Sequence, residues 1–155
     1  MWLQAYLRHP LQMGAIFPSS STLSSLMVRH IEADTNGPIL ELGPGTGSFT
    51  RALLEKGVPE ENLVLLEQSS DFTTLLRNSF PKATVICGNA KDIVPILGPL
   101  GITEFDEIVS GVPLNAMRGQ LRRIICGEAA KLLRIGGSFV QYSYLPRCSI
   151  PNNVI

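Results

Sequence analysis

The sequence predicts an α/β fold, an open parallel sheet with helices on both faces, and three observations carry that prediction. Short apolar runs alternate with helix-length segments along the chain. One such run, Ile39–Leu42, leads straight into a glycine-rich turn and then a helix. The polar and glycine motifs fall where strands end: Glu41 to Gly47, Glu67, Gly88 to Asp92, and Ser110 to Leu114. In open sheets of this kind, ligands bind across the carboxyl ends of the strands, where strand order reverses.

Taken in order, Trp2–Arg8 has the spacing of a short helix, and Pro10 ends it. Ser19-Ser20-Ser21-Thr22 offers N-caps for a helix reaching about Ile31. Asn36-Gly37-Pro38 is a turn before the first strand, Ile39–Leu42. A helix from about Gly47 to Lys56 stops at Gly57, with Pro59 beyond. Leu63–Glu67 is the second strand, and the helix after it, over Ser70–Ser79, is ended by Pro81. Thr84–Cys87 is the third strand, Lys91–Leu97 a short helix, and Glu107–Ser110 the fourth strand. A long helix from about Ala116 to Leu133 closes at Ile135-Gly136-Gly137, and Phe139–Tyr144 is the fifth strand. No repeat, low-complexity tract or linker breaks this order. Residues 1–155 read as one domain, a helical cap over 1–35 and a ligand-binding core over 36–155.

The segment Ile39-Leu40-Glu41-Leu42-Gly43-Pro44-Gly45-Thr46-Gly47-Ser48-Phe49-Thr50 is the most informative. Three glycines at alternate positions let the backbone bend sharply and approach a ligand closely. The helix that follows presents unpaired N–H groups and the positive end of its dipole. The dinucleotide fingerprint G-x-G-x-x-G fails here, because its third glycine would fall on Ser48. Glu67 ends the second strand twenty residues after Gly47. An acid there accepts hydrogen bonds from ribose hydroxyls in nucleoside-binding α/β folds. The plainer role is to favour the helix start near Ser69 and Ser70.

Composition narrows the classes. Charged residues make up only 17% and mean hydropathy is positive, which suggests contact with something apolar. No apolar run reaches the ~18 residues of a membrane span, and Arg8, His9 and Pro10 break any leader-like stretch. Cys87, Cys126 and Cys148 are widely spaced and read as reduced packing residues of a cytosolic protein. His9 and His30 fit no metal-ligand spacing. Net charge is zero, so the basic footprint of a general nucleic-acid binder is missing. The charge is nevertheless uneven. Arg118, Arg122, Arg123, Lys131, Arg134 and Arg147 face only Glu128 in the last third of the chain, an excess suited to anionic headgroups or phosphate, or simply a solvated helix face.

With its acid two residues before the first glycine, the loop resembles motif I of class I S-adenosylmethionine-dependent methyltransferases, E/D-x-G-x-G-x-G. Four segments together resemble the bacterial phospholipid N-methyltransferases, which convert phosphatidylethanolamine stepwise toward phosphatidylcholine. They are Gly14-Ala15-Ile16-Phe17-Pro18-Ser19-Ser20, the glycine loop, Ser110-Gly111-Val112-Pro113-Leu114, and Gly136 to Tyr144. The resemblance spans nearly the whole chain. Ribosomal RNA adenine dimethyltransferases share the loop but carry Asn-Leu-Pro-Tyr or similar after the fourth strand. Here Ser110 and Leu114 replace the amide and the aromatic plate, which leaves base recognition poorly supported.

The resemblance implies S-adenosyl-L-methionine as cofactor, held by Glu41, Gly43, Gly45, Gly47, Glu67, Gln68, Asn89, Ala90 and Ser110, with Phe17 and Ser19 beside it. Asn89 stands where the family usually has Asp; its carbonyl oxygen can accept the same bond from the adenine amino group. Asp92 is a substitute or a helix cap. Backbone carbonyls of Ser110, Gly111 and Val112, with Pro113 fixing the turn, are expected to orient the acceptor amine; the alternative is an ordinary bend. The implied partner is a phospholipid at a membrane surface. Trp2, Leu3, Tyr6 and Leu7 would form an interfacial helix or pack on the domain itself. A family sheet usually ends in an antiparallel hairpin beside the fifth strand, and Pro151–Ile155 leaves room for only its beginning, so truncation is expected. An RNA or small-molecule methyltransferase and a non-catalytic cofactor-binding module are the other readings.

Overall fold

In the computed structural model, residues 20–31 and 37–142 are described. The expected N-terminal helix, Phe17, Ser19, Cys148 and the chain after Tyr142 lie outside them. The described elements are α1 (Ser20–Met27), β1 (Ile39–Leu42), α2 (Ser48–Glu55), β2 (Leu63–Glu67), α3 (Ser70–Ser79), β3 (Thr84–Cys87), α4 (Ile93–Leu97), β4 (Phe105–Ser110), α5 (Gly119–Leu132) and β5 (Leu133–Gln141). The strands form one parallel sheet in the order β3-β2-β1-β4-β5. Strand order reverses between β1 and β4, so their carboxyl ends bracket the crevice where a ligand is expected.

The sheet is buried on both faces because its central strands are apolar at consecutive positions. Successive side chains of a strand point to opposite faces. Leu40, Leu42, Val64, Leu66 and Ile108 therefore meet α4 and α5 through Ile93, Leu97, Ile125 and Ala129. Ile39, Leu63, Leu65 and Val109 meet the turn after α1 through Val28, and α2 and α3 through Leu53 and Leu76. Truncating one of these fully buried leucines to Ala costs about 2–5 kcal/mol.

Several boundaries differ from the sequence reading: α1 ends at Met27 rather than near Ile31, α4 starts at Ile93 because Ala90–Asp92 is a 3-10 turn, and β4 starts at Phe105; two differences are larger. The long helix starts at Gly119, not near Ala116, because Leu114–Ala116 forms a separate 3-10 turn and Met117 and Arg118 are extended. The fifth strand begins at Leu133, directly after the helix. Leu133 pairs with Phe105, the chain then bulges, and pairing resumes with Ser138 opposite Glu107. The glycines enable this bulge instead of ending the helix. Gly136 has φ +83, and a Cβ on Gly137 would lie 2.5 Å from the Asp106 carbonyl oxygen. Arg134 within the bulge pairs with Asp106 at 2.8 Å.

A lysine ties α1 to the core. Lys56 Nζ donates to the carbonyls of Val28 and Arg29, each at 2.9 Å, and to that of Ile31. These carbonyls follow the end of a helix, where no intrahelical donor remains. The position of α1 matters to function because its Ser24 reaches the crevice.

Candidate active site

A cavity of about 580 Å³ opens at the carboxyl ends of the strands, a volume in the range of cofactor sites. Its floor is the glycine loop. Gly43, Gly45 and Gly47 have φ of +66, +56 and +82, a left-handed conformation that excludes side chains at little cost only for glycine. Gly47 N–H donates to the Pro44 carbonyl at 2.9 Å, which closes the turn. Gly47 itself lies behind the wall, where an added Cβ would stand 2.6 Å from Phe80. Ser48 and Phe49, the first residues of α2, line the cavity and bring the helix N-terminus to it.

Glu67 lines the cavity and is locked in place from both sides. Its Oε2 accepts from Gly45 N–H at 3.0 Å and its Oε1 from Ser69 N–H at 2.8 Å. A carboxylate has about four lone-pair sites, so two bonds fix its direction and leave capacity for a pair of ribose hydroxyls. Both sequence-level roles of Glu67 are thus compatible: it braces the start of α3 and faces the crevice. Ser69 is the N-cap of α3, its hydroxyl accepting from Phe72 N–H at 3.4 Å.

Glu41 lies behind the loop. It is fully buried; Thr50 donates its hydroxyl to Oε2 at 2.7 Å, and Oε1 has no partner. Burial pushes its carboxyl up to about 7; the Thr50 bond and Arg51 pull it down, and Glu67 adds to the rise. Of the sequence-predicted residues that are described, Gly43, Gly45, Glu67, Gln68, Asn89, Ala90, Gly111, Val112 and Pro113 line the cavity; Glu41, Gly47 and Ser110 do not. Asn89 gives its carbonyl oxygen to Lys91 N–H at 3.1 Å, capping the 3-10 turn Ala90–Asp92, and one lone pair remains for a ligand. Asp92 provides no cap and pairs with Lys91 at 2.6 Å. Cys87 is exposed rather than packed, whereas Cys126 is buried.

The turn after β4, where the sequence reading expects the acceptor, forms the opposite wall. Gly111 N–H donates to the Leu42 carbonyl at 2.9 Å, and Tyr142 N–H donates to the Ser110 carbonyl at 3.0 Å. Ser110 is wholly buried and its hydroxyl has no partner. Leu114 is turned into the core. Sequence reasoning missed the rest of this wall: Phe49, Phe72, Met117, Ile125 and Tyr142. The rings of Phe49 and Tyr142 meet at 6.0 Å between centroids, tilted by 56°. The carboxyl-end rule pointed to Tyr142, one residue past β5. Phe72 and Ile125 sit inside helices and carried no local signal.

The fold and this site define a nucleoside-binding α/β protein of the methyltransferase type: left-handed glycine loop, carboxylate at the end of β2, glycine-proline turn after β4. Comparison with known proteins gives the family. Residues 39–137 match the family described as Methyltransferase domain. The chain is 30% identical over 149 residues to the ornithine lipid N-methyltransferase of Singulisphaera acidiphila, spanning 94% of this chain and 78% of that protein. A shorter match, 32% over 73 residues, is to ribosomal RNA small subunit methyltransferase A of Maridesulfovibrio salexigens, 47% of this chain and 27% of that one. Among solved structures, a TehB-like S-adenosylmethionine-dependent methyltransferase from Corynebacterium glutamicum superposes with TM-score 0.64 at 17% identity, over 89% of this chain and 70% of that one. CalS10, an amino pentose methyltransferase from Micromonospora echinaspora with S-adenosylmethionine bound, gives 0.64 at 18%, over 94% and 57%. At such identities these two likenesses speak for the fold. This chain belongs to the class I S-adenosylmethionine-dependent methyltransferases.

The residues fit that cofactor. All three glycines of the cradle are left-handed, Gly43 is also crowded by Val112, and Glu67 has spare acceptor capacity at the cavity wall. When bound, S-adenosylmethionine supplies an electrophilic methyl group on a sulfonium.

Proposed function

We propose that this chain methylates the amine of a membrane-lipid headgroup, with phosphatidylethanolamine, on the way to phosphatidylcholine, as acceptor. One observation carries the reading: the turn after β4 presents no side-chain amide to read a base and no aromatic ring to stack on one. Ser110 keeps its hydroxyl buried behind the wall and Leu114 points into the core, so the turn offers the cavity only Gly111, Val112 and Pro113. A ribosomal RNA adenine acceptor needs an edge to bond and a plate to stack on. The full-span likeness to a lipid N-methyltransferase supports the same class and brings a second acceptor, an ornithine lipid, into view.

The chain's own contribution is placement. Holding donor and acceptor in line supplies about 7–11 kcal/mol without an acid–base residue. The amine attacks in its neutral form, which the apolar wall of Val112, Pro113, Met117 and Ile125 favours by disfavouring the ammonium. The lipid stays in its bilayer, so the protein works at a membrane surface; no helix among the described residues is long and apolar enough to cross one. Three cations suit that placement. Lys131 pairs with Glu128 and Arg134 with Asp106, while Arg118, Arg122 and Arg123 at the start of α5 have no carboxylate partner among the described residues. They follow Met117, which lines the cavity.

The test is transfer of labelled methyl to vesicles of phosphatidylethanolamine, to vesicles of ornithine lipid, and to small-subunit ribosomal RNA. Label in phosphatidylethanolamine is expected. Label in ornithine lipid alone keeps the lipid-amine class and replaces the acceptor. Label in RNA alone rejects the proposal.

A further inference from the structure

We infer that Gln141 is a positioning residue for methyl transfer: it occupies the Val112 carbonyl and so leaves the Gly111 carbonyl as the one that meets the acceptor amine. The inference rests on the amine-acceptor reading. It follows from counting lone pairs on the turn after β4. A backbone carbonyl has two. Those of Val112 are both taken, by Leu114 N–H at 2.7 Å and by Gln141 Nε2 at 2.9 Å. The Ser110 carbonyl accepts from Tyr142 N–H, and Ser110 does not line the cavity. Gly111 does line it, and no donor among the described residues reaches its carbonyl.

Gln141 is the last residue of β5, in register with Ser110. Its amide nitrogen bridges two carbonyls, those of Val112 and Tyr142. Its own Oε1 is buried without a partner. An orphaned buried carbonyl is destabilising, and an apolar residue in this place would avoid it. Placement of the turn accounts for keeping the amide. With Val112 saturated, the acceptor N–H has a single oxygen to approach, which fixes the direction of the nitrogen lone pair. Without the Gln141 amide, Val112 presents a second oxygen and the amine has two competing poses.

Two measurements test this, and the first needs no methyl transfer. Protein carrying ¹³C-carbonyl labels at Gly111 and Val112 is loaded with S-adenosylhomocysteine and titrated with ethanolamine. The Gly111 resonance should move and the Val112 resonance should stay; in Gln141→Ala, Val112 should move as well. Movement of Val112 in the native protein, or of neither carbonyl, overturns the inference. The second measurement is kinetic, on whichever acceptor the labelling assay identifies. Gln141→Ala should lose at least tenfold in kcat, with cofactor affinity within twofold of native by calorimetry. Equal losses in kcat and in cofactor affinity would mean a merely structural role. Gln141→Glu adds a pH signature: protonated, it can donate to Val112 as the amide does; ionised, it repels both carbonyls. The ratio of its kcat/KM to the native value should rise at least threefold from pH 8.5 to pH 6. A flat ratio overturns the inference, whereas failure of every acceptor to take label with the ¹³C result intact sinks only the lipid reading.

Discussion

Gly111 and Gly43 are in contact, backbone to backbone, and neither tolerates a side chain. A Cβ on Gly111 would lie 2.9 Å from the Gly43 carbonyl oxygen, and one on Gly43 would lie 3.1 Å from Val112 Cγ2. One glycine belongs to the loop after β1 and the other to the turn after β4. The two sides of the crevice are therefore spaced by main chain alone, at the reversal point between β1 and β4. In-line transfer depends on that spacing, since small misplacements are expensive.

Gly111→Ala should accordingly separate the two loops. The expected cost is about 1–3 kcal/mol of stability from overpacking and at least a tenfold loss in cofactor affinity, read by thermal melting and calorimetry. Gly98→Ala is the control, because its Cβ would meet nothing within 4 Å. Equal behaviour of the two variants would show that the contact is not a constraint.

Glu67→Gln should weaken cofactor binding by roughly 10- to 100-fold, the worth of one charge-assisted hydrogen bond of about 1.5–3 kcal/mol. The fold should survive, since a Gln oxygen can still accept from Gly45 or Ser69. Calorimetry with S-adenosylmethionine decides it, and an affinity within twofold of native removes the ribose role.

Glu41 should make the protein less stable as pH rises. Its folded pKa of about 7 stands above the ordinary 4.5 because burial favours the protonated acid. Between those values the native state binds more protons than the unfolded chain, so stability falls as pH rises through that window and levels off above about 7. The shift corresponds to about 3 kcal/mol. Glu41→Gln keeps an oxygen for the Thr50 hydroxyl and carries no charge. Its melting temperature should match native near pH 4.5 and exceed it by roughly 10 °C at pH 8; parallel curves would show that Glu41 does not titrate in the fold.

Arg118→Gln with Arg123→Gln should reduce binding to vesicles containing phosphatidylglycerol by about 1 kcal/mol per charge, with a shallower salt dependence. Lys131→Gln should change little, because Lys131 is already paired with Glu128 at 2.6 Å. Sedimentation with vesicles at 50 and 200 mM salt reads both. If the paired and unpaired cations behave alike, the start of α5 is not the membrane-facing part.

Most of the frame was legible before the fold was seen. β1, β2, β3 and α3 lie where the apolar runs and their stops placed them, since each has a local signal: a glycine turn, a capping serine, a proline. The start of α5 and of β5 was not legible. Gly136-Gly137 looks like a helix stop, and only the Asp106 backbone beside Gly137 shows that the glycines serve a bulge against β4. Glu41, Gly47 and Ser110 share the motifs of the cavity residues yet stand behind its wall: side-chain direction in β1 and β4 depends on which face the neighbouring helices cover, and Gly47 packs against Phe80.

By itself, then, the sequence determined the cofactor class: three glycines that alone accept the left-handed turn, and an acid at the tip of the next strand, are properties of contiguous residues. Tertiary structure decided the far wall of the cavity. Gln141 reaches Val112 across the β4–β5 pairing, Phe49 at the start of α2 meets Tyr142 just past β5, and Gly43 touches Gly111. These contacts join residues far apart in the chain, through strand order and register, and no local pattern of residues records either.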